Sequence, residues 1–275
     1  MIGLSHSLSL TRRCVLALLT VVLSSASGLA QQPAADPDAV YDRLLGLYVK
    51  PAPDGVNRID YARWHGNKDD RKALDSYIAE LASRRPSAMS RDDAFAYWGN
   101  LYNAVTLKVI LDRYPVTSIR DIKSSGSWFD FKSYTGPWRE LRVTVEDKKL
   151  SLDNIEHDVM RPTFKDPRVH YVVNCASFGC PNIMARGWRA RTLSADLDEA
   201  ARAFINHPRG VEVLAGNKLR VSSIYKWFRD DFGPDEAAVI AHFKRYADPA
   251  LAAKLDKGVT IAEDQYDWAL NVTKP

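Results

Sequence analysis

RDDAFAYWGNLYNAVTLKVILDRY, residues 91–114, carries apolar side chains almost all round a helical projection and is stopped by Pro115. A surface helix keeps one polar face and a helix without one is buried, so this segment reads as the spine of the fold. Toward the N-terminus, Val40, Leu44, Leu45 and Tyr48 recur at helical intervals, as do Leu74, Tyr77, Ile78 and Leu81. That spacing predicts amphipathic helices over 40–48 and 72–83, with Asn57–Tyr61 as a short extended piece between them.

Beyond the spine, Leu141–Val145 alternates as a strand, and Asp147, Lys148 and Lys149 read as a hairpin connection into Leu150. Ser151 or Asp153 then caps a helix running to about Met160, ahead of Pro162. Tyr171, Val172 and Val173 are β-branched or aromatic and lie between the Asp166-Pro167 turn and a run of small residues, the pattern of a short buried strand. Further helices are expected over 194–205 and 235–246, with a hairpin turning about Ala215, Gly216 and Asn217. The chain has no internal repeat and no low-complexity tract. Helices interleaved with short, hairpin-linked strands predict an α+β fold: a single domain, largely helical, with short and mostly antiparallel strands around a buried central helix.

Arg12 and Arg13, an apolar run from Val15 to Leu23 and small residues through Ala30 read as an export signal over residues 1–30, leaving open the general secretory or the twin-arginine route. Residues 31–38 read as an exposed leader and 39–275 as the single domain, in a periplasmic or secreted setting. No later segment is long and apolar enough for a membrane span. The formal charge of +4 drops to +2 once Arg12 and Arg13 are removed, which implies no nucleic-acid partner. The oligomeric state is not legible.

Cys175 and Cys180 are the only cysteines after Cys14, and both sit in a loop of small residues. One reading is nucleophilic. A thiolate needs a base and often a group that orients it, and Cys175, with His157 as base and Asn103, Asn100 or Glu156 in support, supplies that set. Strand alternation would put His170 on the face opposite Cys175, which favours His157. Glu156 points about a hundred degrees from His157 on a helix, so it reads as a contact to Arg168 or a solvent-facing acid. Asn100 and Asn103, three apart on one helix face, could equally form a buried network tying the spine to a loop. The other reading is a structural disulfide shaping the loop, and a reducible pair is a third possibility, although the spacing is not Cys-x-x-Cys. A metal site of Cys175, Cys180, His157 and His170 has no local ligand pair to support it, and no cofactor is implied. Arg186, Arg189 and Arg191 read as a basic flank, and His65, His207 and His242 as surface or cap residues.

Four blocks together resemble one family. They are Tyr97 to Ala104, continuing through Tyr114-Pro115-Val116 and Ser118 to Ile122; Ser151 to His157; Asp166-Pro167-Arg168 through Cys180-Pro181; and Val221 to Phe228 followed by Asp231-Phe232. In order and spacing, over about Ala94 to Gly233, this chain is similar to the domain of unknown function 547, found in exported bacterial proteins and in some plant and animal proteins. Gly99 and Phe178 depart from the pattern, and neither is a candidate reacting group. The resemblance implies no reaction. In some eukaryotic members the domain is joined to glutaredoxin-like and signalling domains, an association that points toward thiol chemistry. The expectation is an exported domain with a thiol-centred site, acting as a cysteine-dependent hydrolase or transferase on an acyl or amide bond of a small or peptide-like molecule. The alternatives are a binding module with a Cys175 to Cys180 bridge, or a thiol-disulfide protein.

Overall fold

The computed structural model describes residues 36, 38–122 and 137–273, so the expected export signal over 1–30 and most of the expected leader lie outside the described residues. In chain order the first helices are α1 (Ala39–Tyr48), α2 (Tyr61–Gly66), α3 (Lys68–Ser83) and α4 (Arg91–Arg113), with the two-residue strands β1 (Val49–Lys50) and β2 (Arg58–Ile59) paired antiparallel between α1 and α2. Ser90 caps α4 by accepting the backbone N–H of Asp93, and Asp92 and Asp93 add negative charge to the first turn, where the helix dipole favours it. From Phe95 to Leu107 every residue of α4 is buried, which makes it the spine that its composition predicts. Around it pack α1, α2 and α3, locked by the stacked pairs Tyr41 with Tyr77 and Tyr48 with Trp64 at 4.6 and 4.5 Å.

The hairpin β3 (Val143–Val145) and β4 (Lys148–Leu150) turns at Glu146 and Asp147, both at positive φ, 46° and 62°. Lys148 and Lys149 therefore belong to the strand rather than to the connection. A π-helical segment, Asn154–Met160, follows and runs without a break into α5 (Arg161–Phe164). It starts on a reciprocal cap, with Ser151 Oγ accepting the Asn154 N–H and Asn154 Oδ1 accepting the Ser151 N–H. The expected stop at Pro162 does not occur. Arg161 N–H reaches back five residues to the Glu156 carbonyl, and this wider turn absorbs a proline that has no N–H of its own to place.

The predicted strand at Tyr171 is also corrected: Val169–Val172 is a single helical turn, α6, started by Asp166, whose Oδ1 accepts the Arg168 N–H and whose carbonyl accepts that of Val169. The reason is directional. Val169, Val172 and Val173 enter the apolar cluster around α4, Tyr171 enters a second cluster, and His170 lines a cavity, so the side chains leave in three directions where a strand offers two.

The second cluster lies among α7 (Leu193–Ile205), β5 (Val211–Leu214), β6 (Lys218–Ser222), α8 (Ile224–Trp227), α9 (Arg229–Phe232), α10 (Glu236–Tyr246) and α11 (Pro249–Leu255). The β5–β6 hairpin is antiparallel, turning through Gly216 and Asn217 as predicted, and β7 (Thr260–Gln265) joins β6 in parallel with a register shift between Leu219 and Arg220. The molecule is thus an α+β domain, mostly helical, with small sheets at its margins. Among the described residues no helix is long and apolar enough to cross a membrane.

Candidate active site

Asn174 builds the loop that carries both cysteines. Its Oδ1 accepts the Ala176 N–H and its Nδ2 donates to the Pro181 carbonyl, which folds 174–181 on itself and holds Ala176 at φ 61°. Asn103 of α4 fixes the approach to it: Nδ2 donates to the Val172 carbonyl and Oδ1 accepts the Asn174 N–H, both at 2.9 Å. Asn100 does the same one turn away, to the carbonyl and N–H of Trp188. Both amides serve as the buried network that their spacing allowed, with their polar atoms on backbone and not on a reacting group. The far side of the loop is held by the C-terminal segment, where Phe178 and Gly179 N–H donate to the Ala269 and Asp267 carbonyls and Asn271 N–H donates to the Ala176 carbonyl. A Cβ on Gly179 would lie 2.8 Å from Asp267 N, so only glycine permits this approach.

Within that frame Cys175 and Cys180 are free, their sulfurs unbonded at 2.7 Å. Tyr266, immediately after β7, puts its hydroxyl 3.0 Å from each sulfur and 2.7 Å from Ser177 Oγ. Ser177 Oγ in turn stands 3.3 Å from Cys175 Sγ and 3.4 Å from Cys180 Sγ. The backbone N–H of Cys175 donates to Cys180 Sγ over 3.1 Å. Hydrogen bonding to Cys180, with burial in support, pushes the Cys175 thiol well up. For Cys180, burial pushes upward but is outweighed by the hydrogen bonds from Cys175, Ser177, Tyr266 and the Cys175 N–H, and its pKa falls to about 6.

The sulfurs line a cavity of about 270 Å³ together with the aromatic rings of Trp138, Trp227, Phe228 and Trp268 and the titratable side chains of Asp153, Glu156, His157 and His170. The π-helical segment and the residue before it supply Asp153, Glu156 and His157. His157 shares the cavity with Cys175, yet its Nδ1 accepts from Arg161 Nη1 at 3.2 Å, and its Nε2 faces Asp153 at 3.6 Å. Because arginine only donates, the lone pair of this ring is committed to Arg161. Among the described residues no hydrogen bond links His157 to a cysteine.

His170 belongs to the same cavity. The alternation that set it aside fails because its segment is helical. It is buried, its Nε2–H donates to Asp231 Oδ2 at 2.7 Å, and its ring stacks on Phe228. Arg161 Nε donates to the same Asp231 oxygen at 2.6 Å. The remaining nitrogen, Nδ1, faces Glu156 Oε1 at 3.8 Å. Burial lowers the His170 pKa, with Asp231 working against it. Glu156 is neither a partner of Arg168, which pairs with Asp166 and Asp198, nor solvent-facing. It is buried beside the Tyr102 hydroxyl, and that burial raises its pKa. An acid held toward its neutral form and an imidazole anchored by a carboxylate thus line the same cavity as the thiol pair.

Several other expectations change. Arg186 pairs with Asp196 at 2.6 Å and Arg189 with Asp42 at 2.8 Å, so two arginines of the basic flank are structural. His65 meets the Leu111 carbonyl and His207 the Asp54 carbonyl, in cap-like roles, but His242 packs into the second cluster against the Tyr171 hydroxyl at 2.7 Å. No group of three or more metal-ligating side chains is arranged to hold an ion among the described residues. Tyr266, Ser177 and Asp231 had not been named as candidates. Ser177 and Asp231 lie in blocks that carry the family resemblance, and Tyr266 lies in none.

Fold and cavity define an α+β domain with a paired-thiol site. Residues 86–205 match the model of the family described as "Protein of unknown function, DUF547", the family that the motifs resemble. No curated protein and no solved structure matches the chain.

Proposed function

We propose that this chain is a thiol enzyme, a cysteine-dependent hydrolase or transferase that takes an acyl group from an ester, thioester or amide. The observation that supports it is the free sulfur pair lining a cavity, ringed by Tyr266, Ser177 and a backbone N–H, with Glu156 and His170 lining the same cavity. In the acylation step a cysteine thiolate bonds to the carbonyl carbon, the bond to the leaving group breaks, and the leaving group departs with a proton from a neighbouring acid. Water or an acceptor nucleophile then takes the acyl group and restores the thiolate. Aromatic walls suit an acyl or amine portion bearing a ring or an extended apolar chain, on a small or peptide-like molecule. The residue 1–30 pattern supports export to the periplasm or beyond as part of the same reading.

Intact-protein mass spectrometry after incubation with activated acetyl and phenylacetyl esters tests this. The expected result is a hydroxylamine-labile adduct, absent when both cysteines are replaced by serine; an adduct that persists without the cysteines would sink the reading. A second reading, thiol-disulfide exchange, is favoured by the 2.7 Å sulfur separation alone. Equilibration in glutathione buffers distinguishes it. Reversible two-electron oxidation, coupled to reduction of an added disulfide and without acyl adduct formation, would replace the acyl-transfer reading.

A further inference from the structure

We propose that Cys180, and not the more exposed Cys175, is the sulfur held as thiolate, with the Cys175 N–H and the Tyr266 hydroxyl as the groups that hold it. This goes beyond the acyl-transfer reading by naming its nucleophile, and its catalytic consequence rests on that reading.

The argument is a count of donors. Cys175 Sγ, Cys180 Sγ, Ser177 Oγ and Tyr266 Oη all lie within hydrogen-bonding reach of one another, each pair between 2.7 and 3.4 Å. Each of these four groups carries a proton that can turn toward any of the others, so side chains alone do not say which sulfur gives its proton up. The Cys175 N–H breaks the tie. It is fixed by the backbone and points at Cys180 Sγ, at 3.1 Å. A thiolate at Cys180 therefore accepts four donors: that N–H, the Cys175 thiol, Ser177 and Tyr266. A thiolate at Cys175 would accept three and leave the N–H against a neutral thiol. Charge-assisted bonds are about twice as strong as neutral ones, so the extra fixed donor favours Cys180. The shifts of the two cysteines run the same way, Cys180 down and Cys175 up.

The backbone that aims this N–H is the strained part of the loop. Ala176 stands at φ 61°, and its N–H and carbonyl are taken by Asn174 Oδ1 and Asn271 N–H. The titratable and charged groups that bear on Cys180 are Cys175 and Tyr266 in contact, Tyr61 from α2, Tyr102 from α4, Glu156 from the π-helical segment, and Arg209 after α7, the one cation among them. In the acyl-transfer step Cys180 Sγ forms the new bond to carbon, the leaving group takes the Cys175 proton, and in deacylation water gives its hydroxyl to the acyl carbon and its remaining proton back to Cys175. Atoms and charge balance over the cycle.

Ultraviolet thiolate absorbance followed against pH, on the full chain and on C175S, C180S and Y266F, tests the assignment. C175S is expected to keep a thiolate on the acid side of neutrality, C180S to lose it until about pH 8.5 or above, and Y266F to move the midpoint upward. An acid-side thiolate that survives in C180S and vanishes in C175S would overturn it. Should a variant fail to fold, limited iodoacetamide labelling of the unmodified protein at neutral pH, mapped by mass spectrometry, decides: Cys180 modified first supports the assignment, Cys175 modified first overturns it. If the thiolate titrates at Cys180 and no acyl adduct ever forms, the assignment stands and the acyl-transfer reading falls.

Discussion

Asn103 and Glu156 are polar side chains buried to a similar depth, 3% and 8% exposed, and they differ in what has been done with their hydrogen-bonding capacity. Asn103 sets both ends of its amide on fixed backbone groups of the cysteine loop. Glu156 has the Tyr102 hydroxyl, a histidine nitrogen 3.8 Å away, and a cavity. A buried polar group whose partners are complete is architecture, whereas one left partly unmatched beside open space costs stability and keeps hydrogen-bonding capacity free for a ligand. The spine and the cavity wall therefore make different demands on the same fold.

The largest expected effect lies on the architectural side. Asn103→Ala strips the Val172 carbonyl and the Asn174 N–H of their partners, and we expect it to cost about 2–4 kcal/mol in chemical denaturation. A loss below about 1 kcal/mol would break the distinction. Gly179→Ala comes next, since its new Cβ would meet Asp267 backbone at 2.8 and 3.0 Å. It should cost about 1–3 kcal/mol and raise the exchange rate of the Phe178 and Gly179 amides, measured by hydrogen exchange.

On the cavity side the sign should reverse. Burial raises the Glu156 pKa, so the folded state binds its proton more tightly than the unfolded state, and stability falls as pH rises from the ordinary glutamate range through the raised value. Glu156→Gln removes that dependence. It should stabilise the protein at neutral pH by about 0.5–2 kcal/mol, with the gain shrinking toward zero near pH 4, while slowing acylation. A variant less stable than the parent at neutral pH would show that Glu156 is architecture after all. The smallest effect is expected at Trp227, which is 48% exposed on the cavity wall. Trp227→Ala should leave the denaturation free energy within about 0.5 kcal/mol yet slow acylation by the phenylacetyl ester more than by the acetyl ester.

How much of this was legible depends on whether the signal is local. The spine was, because apolar residues all round a helix leave only one way to be buried, and the β5–β6 hairpin was, because Gly216 and Asn217 sit where φ must be positive. The α6 turn was not, because β-branched composition describes a half-buried surface and says nothing of three separate destinations for neighbouring side chains. The continuation of the helix through Pro162 was hidden for a related reason, since a π turn has no compositional mark. The cysteines, His157 and Glu156 were found by residue type and spacing, and all line one cavity. The role of His157 as base was read from sequence proximity, which could not show Arg161 occupying its lone pair. Tyr266 was invisible, lying 86 residues from Cys180 and brought to it by backbone pairing of loop against C-terminal segment.

That pairing bears on how the protein can be dissected. A fragment cut to residues 86–205 would contain both cysteines, His157, His170 and Glu156, and would look complete in any motif search. It would lack Tyr266 and Asp231, and it would lack the strip around 267–271 that grips the loop from outside. The recognisable domain and the working unit thus have different boundaries. Activity assays, domain grafts and library designs built on the minimal domain would be sampling a site with its clasp removed.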